Sequence, residues 1–324
     1  MTARARELEA VCAAMRAESR VALAIHESPD GDAVGAAAGM LDLFGKLGAD
    51  AHLFVDAGVV LPLAGEFLPA GLVVEGSPGA ATTLYALDCG SAARLAVTLG
   101  ERRARTVNID HHHDNTRFGD LNLVDGDASS TSELVCEIAA RLGLRFSAGA
   151  AAALYAGISF DTGHFQHAST SADTFACCAR LVADGADPDR VYRLLHETRS
   201  LSSLRLWARA IERARPAAAG RALLTLLTGD DFAATGATDD DTEGIVDALR
   251  SVPGVEVAAL ARPQGDGVVK VSLRSEGFDV SAVASLKGGG GHRQAAGFTT
   301  AGTVEGVTEW LSTVLDERLS TASC

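Results

Sequence analysis

A chain of 324 residues is long enough for two domains of ordinary size, and its 47% apolar and 22% charged residues are the balance of a foldable globular protein. No apolar run approaches the roughly 18 residues of a membrane span, and the opening segment MTARARELEAVCAAMRAESR interleaves charges throughout, which predicts an amphipathic helix rather than a secretory signal. A formal net charge of −14 speaks against gripping duplex nucleic acid, which needs broad basic surface, but leaves room for a small anionic substrate held through bound cations.

The first half alternates apolar runs with helical patterns, the signature of βαβ units and a parallel sheet. VALAI (21–25) predicts a buried strand, followed by a polar turn and the small-residue helix AVGAAAGMLDLFGKLG. Further strands are expected at AHLFVD (51–56), LYALD (84–88) and TVNID (106–110), the last two ending in aspartate. Acidic strand ends place carboxylates at the carboxyl edge of the sheet, where open α/β folds keep their sites. A helix follows at STSELVCEIAARLG, capped by Ser or Thr, then the apolar segment AGAAAALYAGISFD and a helix around 171–184. The charged helical stretch 187–216 ends at Pro216, which predicts a first domain over 1–195, a helical connector over 196–216 and a second domain over 217–324.

That second fragment reads as strand RALLTLLT, acidic loop TDDD, helix TEGIVDALRSV, and strands VEVAALARP and VVKVSLRS joined by the hairpin turn QGDG. A short helix DVSAVASLKG leads into GGGGHRQAAG and a last helix ending near Leu319. The acidic run Asp239–Asp241 reads as a solvated loop with a capping role. Cys12, Cys89, Cys136, Cys177, Cys178 and Cys324 form no C-x-x-C pair, so ordinary thiols in a reducing cytoplasm are expected.

Four clusters of ligand-type residues fall at expected strand ends: His26, Asp30 and Asp32 in HESPDGDAVG; Asp88 in LYALDCGS; Asp110, His111 and His112 in VNIDHHHDN; and Asp161 in AGISFDTGHF. Asp30-Gly31-Asp32 alone is ordinary turn chemistry. Several carboxylates converging on one sheet edge, however, would repel by on the order of several kcal/mol without cations. Mixed His and Asp donors suit manganese, with iron, cobalt or zinc as alternatives, better than an all-oxygen magnesium or calcium site. Six ligands with one shared carboxylate match two metals roughly 3.5–4 Å apart, the arrangement used for phosphate-ester hydrolysis.

HESPDGDAVG, LDCGS, IDHHHDN and FDTGHF resemble, in order, the four motifs of the DHH phosphoesterase superfamily, and specifically its bacterial oligoribonuclease/phosphoadenosine-phosphate phosphatase group. GGGGHRQAAG resembles the glycine-rich motif of the DHH-associated domain of the first type, so the resemblance runs from about His26 to about Phe298. It implies an α/β protein: an N-terminal parallel-sheet DHH domain, a smaller C-terminal α/β DHH-associated domain, and a catalytic cleft between them. It implies one manganese on His26, Asp30 and Asp88 and another on Asp32, Asp88, His111 and Asp161. His112 would lie beside the substrate phosphate, with Asp110 orienting a histidine.

Arg274, Gly289, Gly290, Gly291, His292 and Arg293 would contact substrate. The family carries serine and arginine where this chain has His164 and Gln166, a departure bearing on phosphate contacts near Asp161. His52, His113 and His196 are read as surface or packing residues.

The function implied is manganese-dependent hydrolysis of very short oligoribonucleotides, pApA or cyclic di-AMP to mononucleotides, and of adenosine 3′,5′-bisphosphate to AMP. The alternatives are another hydrolase of the superfamily, acting on single-stranded DNA, polyphosphate or pyrophosphate, and a non-catalytic nucleotide sensor. The family suggests a homodimer; neither duplex DNA nor a membrane is expected as partner.

Overall fold

The computed structural model describes residues 2–79, 82–98, 105–265 and 267–321, and no helix among them is long and apolar enough to cross a membrane. Asp266, in the expected hairpin turn, and Cys324 lie outside the described residues. The chain divides into two units, Met1–Thr198 and Arg199–Cys324.

In the first unit an N-terminal helix α1 (Ala3–Ala17) precedes β1 (Arg20–Ala24), α2 (Gly31–Leu47), β2 (Asp50–Val55), β3 (Val73–Glu75), β4 (Thr83–Leu87), β5 (Thr106–Asp110) and β6 (Leu121–Val124). Four helices follow: α3 (Thr131–Leu142), α4 (Ala148–Asp161), α5 (Ala172–Ala183) and α6 (Pro188–His196). The six strands form one sheet in the order β3-β2-β1-β4-β5-β6, all parallel. Its central strands are apolar runs because both faces are covered. Val21, Leu23, Tyr85, Leu87, Val107 and Ile109 face the large helical core, whereas Ala22, Ala24, Leu84 and Ala86 face a thinner layer with Cys89, Leu95 and Val97. The strand order reverses between β1 and β4, and such a switch point opens a crevice at the carboxyl ends of the strands.

Small residues let α2 and α4 meet almost backbone to backbone. A Cβ on Gly35 would lie 2.5 Å from the Ala153 carbonyl oxygen, and one on Gly157 would lie 2.3 Å from Ser132 Oγ and 3.0 Å from Asp32 Oδ1. This close approach brings the N-terminus of α2 and the C-terminus of α4 to the same edge of the sheet. Asp161 therefore ends a helix, not the strand end that its apolar run suggested. AGAAAALYAGIS is rich in good helix formers, is capped by Ser147, and is buried around most of its circumference, which removes the amphipathic signal.

In the second unit come α7 (Leu201–Glu212), β7 (Arg215–Ala217), β8 (Ala222–Leu226), α8 (Gly229–Thr235), α9 (Ile245–Arg250), β9 (Val257–Pro263) and β10 (Val268–Ser275). They are followed by α10 (Ser281–Ala284), β11 (Gly290–His292), β12 (Ala295–Ala301) and α11 (Val304–Thr321). The sheet runs β11-β12-β10-β9-β8-β7; β8 and β9 are parallel and the other neighbours antiparallel. One face packs on Leu311, Leu315 and Leu319 of α11, the other on α7 and α9 through Leu206, Ala210, Ile245 and Leu249.

The stretch 196–216, expected as a connector, thus contains a helix that supplies core to the second unit and an edge strand holding Pro216. Pro216 lacks an N–H and is tolerated there because the strand is outermost. The charged helical run breaks at 197–200, where Ser200 caps α7. Asp239 pairs with Arg262 and Lys270, and Asp241 accepts from Thr238 and Ser200, so the acidic run is tied down by its own unit.

Candidate metal centre

Three adjacent strands deliver the first group of side chains. His26 follows β1, Asp88 follows β4, and Asp110 ends β5 with His111 and His112 directly after it. Asp88 has φ 54°, a left-handed conformation uncommon for a residue with a Cβ and a form of strain that concentrates at functional sites. Helix termini supply the rest. Asp30 is the N-cap of α2, accepting from the N–H groups of Asp32 and Ala33 at 2.9 and 3.1 Å. Asp32 sits in the first turn of α2, and its carboxylate accepts from the N–H groups of Thr131 at 2.6 Å and Ser132 at 2.9 Å, at the start of α3. Thr131 Oγ1 also donates to Asp88 Oδ1 at 3.0 Å.

The side chains converge. His26 Nε2 lies 3.6 Å from Asp88 Oδ2 and 3.9 Å from Asp30 Oδ2. His111 Nε2 lies 2.9 Å from Asp161 Oδ2 and 3.6 Å from Asp88 Oδ1. Donor atoms lie within 4.8 Å of one another in three overlapping groups: His26, Asp30 and Asp88; Asp32, His111 and Asp161; and Asp88, His111 and His112. The structure therefore gathers all six residues read as ligands, with Asp88 common to two groups, and it draws in His112, which the sequence reading kept apart from the ligands.

The electrostatics of this pocket are those of a cation site. Asp32 and Asp88 are almost fully buried, and among the described residues no Lys or Arg pairs with Asp30, Asp32, Asp88 or Asp161. Burial, reinforced by the charges of Asp88 and Asp161, pushes the Asp32 carboxyl well above the usual carboxylate range. Burial also raises Asp161. Burial alone would lower the histidines, but Asp30 and Asp88 hold His26 up at about 9, and Asp161 with Asp32 and Asp88 holds His111 up at about 10. Nδ1 of His26 is buried without a hydrogen-bond partner. Imidazole nitrogens and carboxylates in this number fit divalent transition cations, which would take the place of the protons that the acids otherwise compete for.

Asp110 stands behind the cluster. Its Oδ1 accepts from Nδ1 of His112 at 2.8 Å and its Oδ2 from Nδ2 of Asn115, which also donates to Asn108 Oδ1 at 2.9 Å. Burial would raise the Asp110 carboxyl, but these hydrogen bonds outweigh it and hold it below its ordinary value. The hydrogen bond to Asp110 in turn raises His112.

Sequence reasoning missed Thr131, Ser132 and Asn115. The Ser/Thr run before α3 signalled a helix start, but nothing in it showed that the helix N–H groups would clamp a carboxylate 99 residues upstream. His113 lies against Gly126, His52 beside Asp50, and His196 packs on His164 and Tyr192. His164 and Phe165 both have positive φ, 60° and 66°, and His164 Nδ1 lies 3.1 Å from Ser159 Oγ, while Gln166 is exposed.

In the second unit Arg274 Nε faces Asp247 Oδ1 at 3.2 Å, and His292 and Arg293 are exposed at the β11–β12 hairpin. Two of the glycines are required by packing. A Cβ on Gly289 would lie 2.3 Å from the Gly297 carbonyl oxygen and one on Gly291 2.5 Å from that of Ala295, both around β12, whereas Gly290 faces open space.

The chain is similar to known proteins in sequence and in fold. Residues 20–158 match the DHH family, N-terminal domain, and residues 225–320 match the DHHA1 domain. The bifunctional oligoribonuclease and PAP phosphatase NrnA of Thermus thermophilus is 33% identical over 302 residues, covering 88% of this chain and 85% of that protein. The cyclic-di-AMP phosphodiesterase GdpP of Geobacillus thermodenitrificans is 32% identical over 312 residues, 89% of this chain but 46% of that one. The crystal structure of an exopolyphosphatase-related protein from Bacteroides fragilis superposes with a TM-score of 0.79 over 98% of both chains at 23% identity, a likeness of fold. With both domains matched in order and a third of the residues identical over most of the chain, this protein belongs to the DHH phosphoesterase superfamily, in its oligoribonuclease and PAP phosphatase group.

Proposed function

We propose that this chain is a metal-dependent phosphodiesterase and phosphatase. It hydrolyses very short oligoribonucleotides, pApA or cyclic di-AMP to mononucleotides, and adenosine 3′,5′-bisphosphate to AMP. The observation that carries the reading is the convergence of six side chains as two donor groups, His26 with Asp30 and Asp88, and Asp32 with His111 and Asp161, joined by the 3.6 Å approach of His111 to Asp88. That the Thermus relative is an oligoribonuclease and PAP phosphatase, and the Geobacillus relative a cyclic-di-AMP phosphodiesterase, supports the substrate class.

One cation, manganese foremost, is assigned to His26, Asp30 and Asp88, and a second to Asp32, Asp88, His111 and Asp161. Such a pair lowers the pKa of water and neutralises charge on the phosphoryl oxygens. The protein's own part is orientation and proton handling. Asp110 fixes Nδ1 of His112, which leaves Nε2 to meet the substrate phosphate or to give a proton to the leaving oxygen. The N–H groups of Thr131 and Ser132 hold Asp32 in place before substrate arrives. Arg274, Gly289, Gly290, Gly291, His292 and Arg293 are assigned to the nucleotide; of these, His292, Arg293 and the open face of Gly290 are exposed. The five described cysteines are free thiols, in keeping with a reducing compartment such as the cytoplasm.

The test is a panel of pApA, cyclic di-AMP, adenosine 3′,5′-bisphosphate, polyphosphate and a single-stranded DNA 20-mer, each with manganese. Release of AMP from the adenine nucleotides is expected. Turnover confined to polyphosphate or the DNA strand would replace this reading with another hydrolase of the superfamily, and binding without turnover would leave a sensor.

A further inference from the structure

The acidic chain carries a concentrated basic face on α7, in the second unit. Arg205, Arg209 and Arg213 follow one another at four-residue spacing, which stacks them along one side of the helix, while Ser203, Leu206 and Ala210 are buried against the unit's core. With Glu212, Ala234 and Thr235 they line a cavity of about 530 Å³ between α7 and α8, within the roughly 300–1,000 Å³ range of small-ligand sites.

The face is built rather than merely solvated. Asp231, fully buried, accepts from Arg209 Nη1 at 3.0 Å through one oxygen and from Arg213 Nη1 through the other, and it also accepts from the N–H and hydroxyl of Thr228. Two guanidiniums on one carboxylate over-compensate it, and each retains further N–H donors. The helix C-terminus favours cations at 209 and 213 on its own account, but it gives no reason for Arg205, a full turn further back. The Arg205 side chain is exposed, and its guanidinium makes no hydrogen bond or ion pair with any described residue. Against the three arginines stand Asp231 and Glu212, which leaves the cavity with a surplus of one positive charge.

We propose that this cavity of the second unit binds a phosphate-bearing anion through Arg205, Arg209 and Arg213. Planar guanidiniums held in register suit phosphate oxygens through paired hydrogen bonds. The phosphate can belong to a free nucleotide or to the backbone of a strand.

The discriminating variant is Arg205→Glu in the full-length, manganese-loaded protein, because Arg205 supports no described contact whereas Arg209 and Arg213 hold Asp231. Calorimetric titration with AMP, with inorganic phosphate and with a phosphorothioate-linked pentanucleotide separates the sources. For at least one of these probes the parent is expected to bind at a salt-sensitive class of sites that the variant binds about tenfold or more weakly. Hydrolysis of pApA by the variant should be unchanged. Loss with AMP or phosphate identifies a small effector or product, and loss with the pentanucleotide alone identifies a strand. Identical isotherms for parent and variant with all three probes would overturn the site. A protein with no hydrolytic activity would instead overturn the proposed function and leave this titration fully interpretable.

Discussion

Asp110 Oδ1 and His112 Nδ1 are 2.8 Å apart, two residues along the same strand end, and the other Asp110 oxygen is taken by Asn115. A fully buried carboxylate thus determines which imidazole nitrogen carries the proton and which way the ring points.

Replacing Asp110 by Asn keeps the shape and removes the charge. His112, raised by its hydrogen bond to Asp110, should then fall toward its ordinary value. Turnover of pApA should drop by roughly 10–100-fold, the usual cost of losing such a supporting carboxylate. The limb of the pH–rate profile that reports His112 should move to lower pH, while bound metal, measured by elemental analysis, stays near the parent level. An unmoved profile would reduce Asp110 to a packing residue.

The carboxylate cluster makes metal binding a stability measurement. Cations that bind only the folded chain stabilise it by about 2.7 kcal/mol at a hundredfold excess over Kd. For the 198-residue first unit, at roughly 2–4 °C per kcal/mol, that corresponds to a rise of about 5–10 °C in its melting temperature on adding manganese. Asp88→Asn weakens two donor groups at once and should lose most of that rise. Equal shifts in parent and variant would remove Asp88 from the centre.

Much of this centre is readable in the chain because β4 and β5 are apolar runs broken by acids, and an acid at the end of a buried strand has few bland explanations. Asp161 was equally conspicuous, but its setting was not: an Ala-rich run buried on nearly all sides carries no period with which to tell helix from strand. The clamp on Asp32 is made by backbone N–H groups, which leave no mark on residue type. The glycine run invited a ligand-loop reading, whereas Gly289 and Gly291 are also demanded by β12, a strand whose AAGFTTA sequence lacks clear alternation. Residues 201–212 looked like a connector because half their faces are charged; Leu206 and Ala210 show the other half closing a core.

The tight seam between α2 and α4 is testable with one methyl group. Gly157→Ala would press a Cβ to 2.3 Å from Ser132 Oγ and 3.0 Å from Asp32 Oδ1. It should cost about 1–3 kcal/mol in chemical denaturation and weaken metal binding by shifting Asp32. Gly149→Ala, in the same helix but with open space around it, should be neutral or stabilise by up to about 1 kcal/mol. Equal effects of the two substitutions would show that helix propensity, not the close approach, sets the need for glycine.

Asp231 gives the second unit an acid-sensitive element. Burial would raise its carboxyl, but Arg213, Thr228 and Arg209 together hold it at about 2, below its ordinary 3.8. A carboxyl lowered on folding favours the folded state when ionised. Its contribution is therefore complete above about pH 4 and is lost as pH falls toward 2. The difference corresponds to at most about 2.4 kcal/mol, and Arg209 and Arg213 are 42% and 36% exposed, so screening reduces it to roughly 1–2 kcal/mol. Asp231→Asn should be less stable than the parent by about that amount at neutral pH, with the gap closing between pH 4 and pH 2. Denaturant midpoints measured across that range decide it: a gap that stays constant down to pH 2 would mean that Asp231 acts through shape and hydrogen bonding, and that its charge adds nothing.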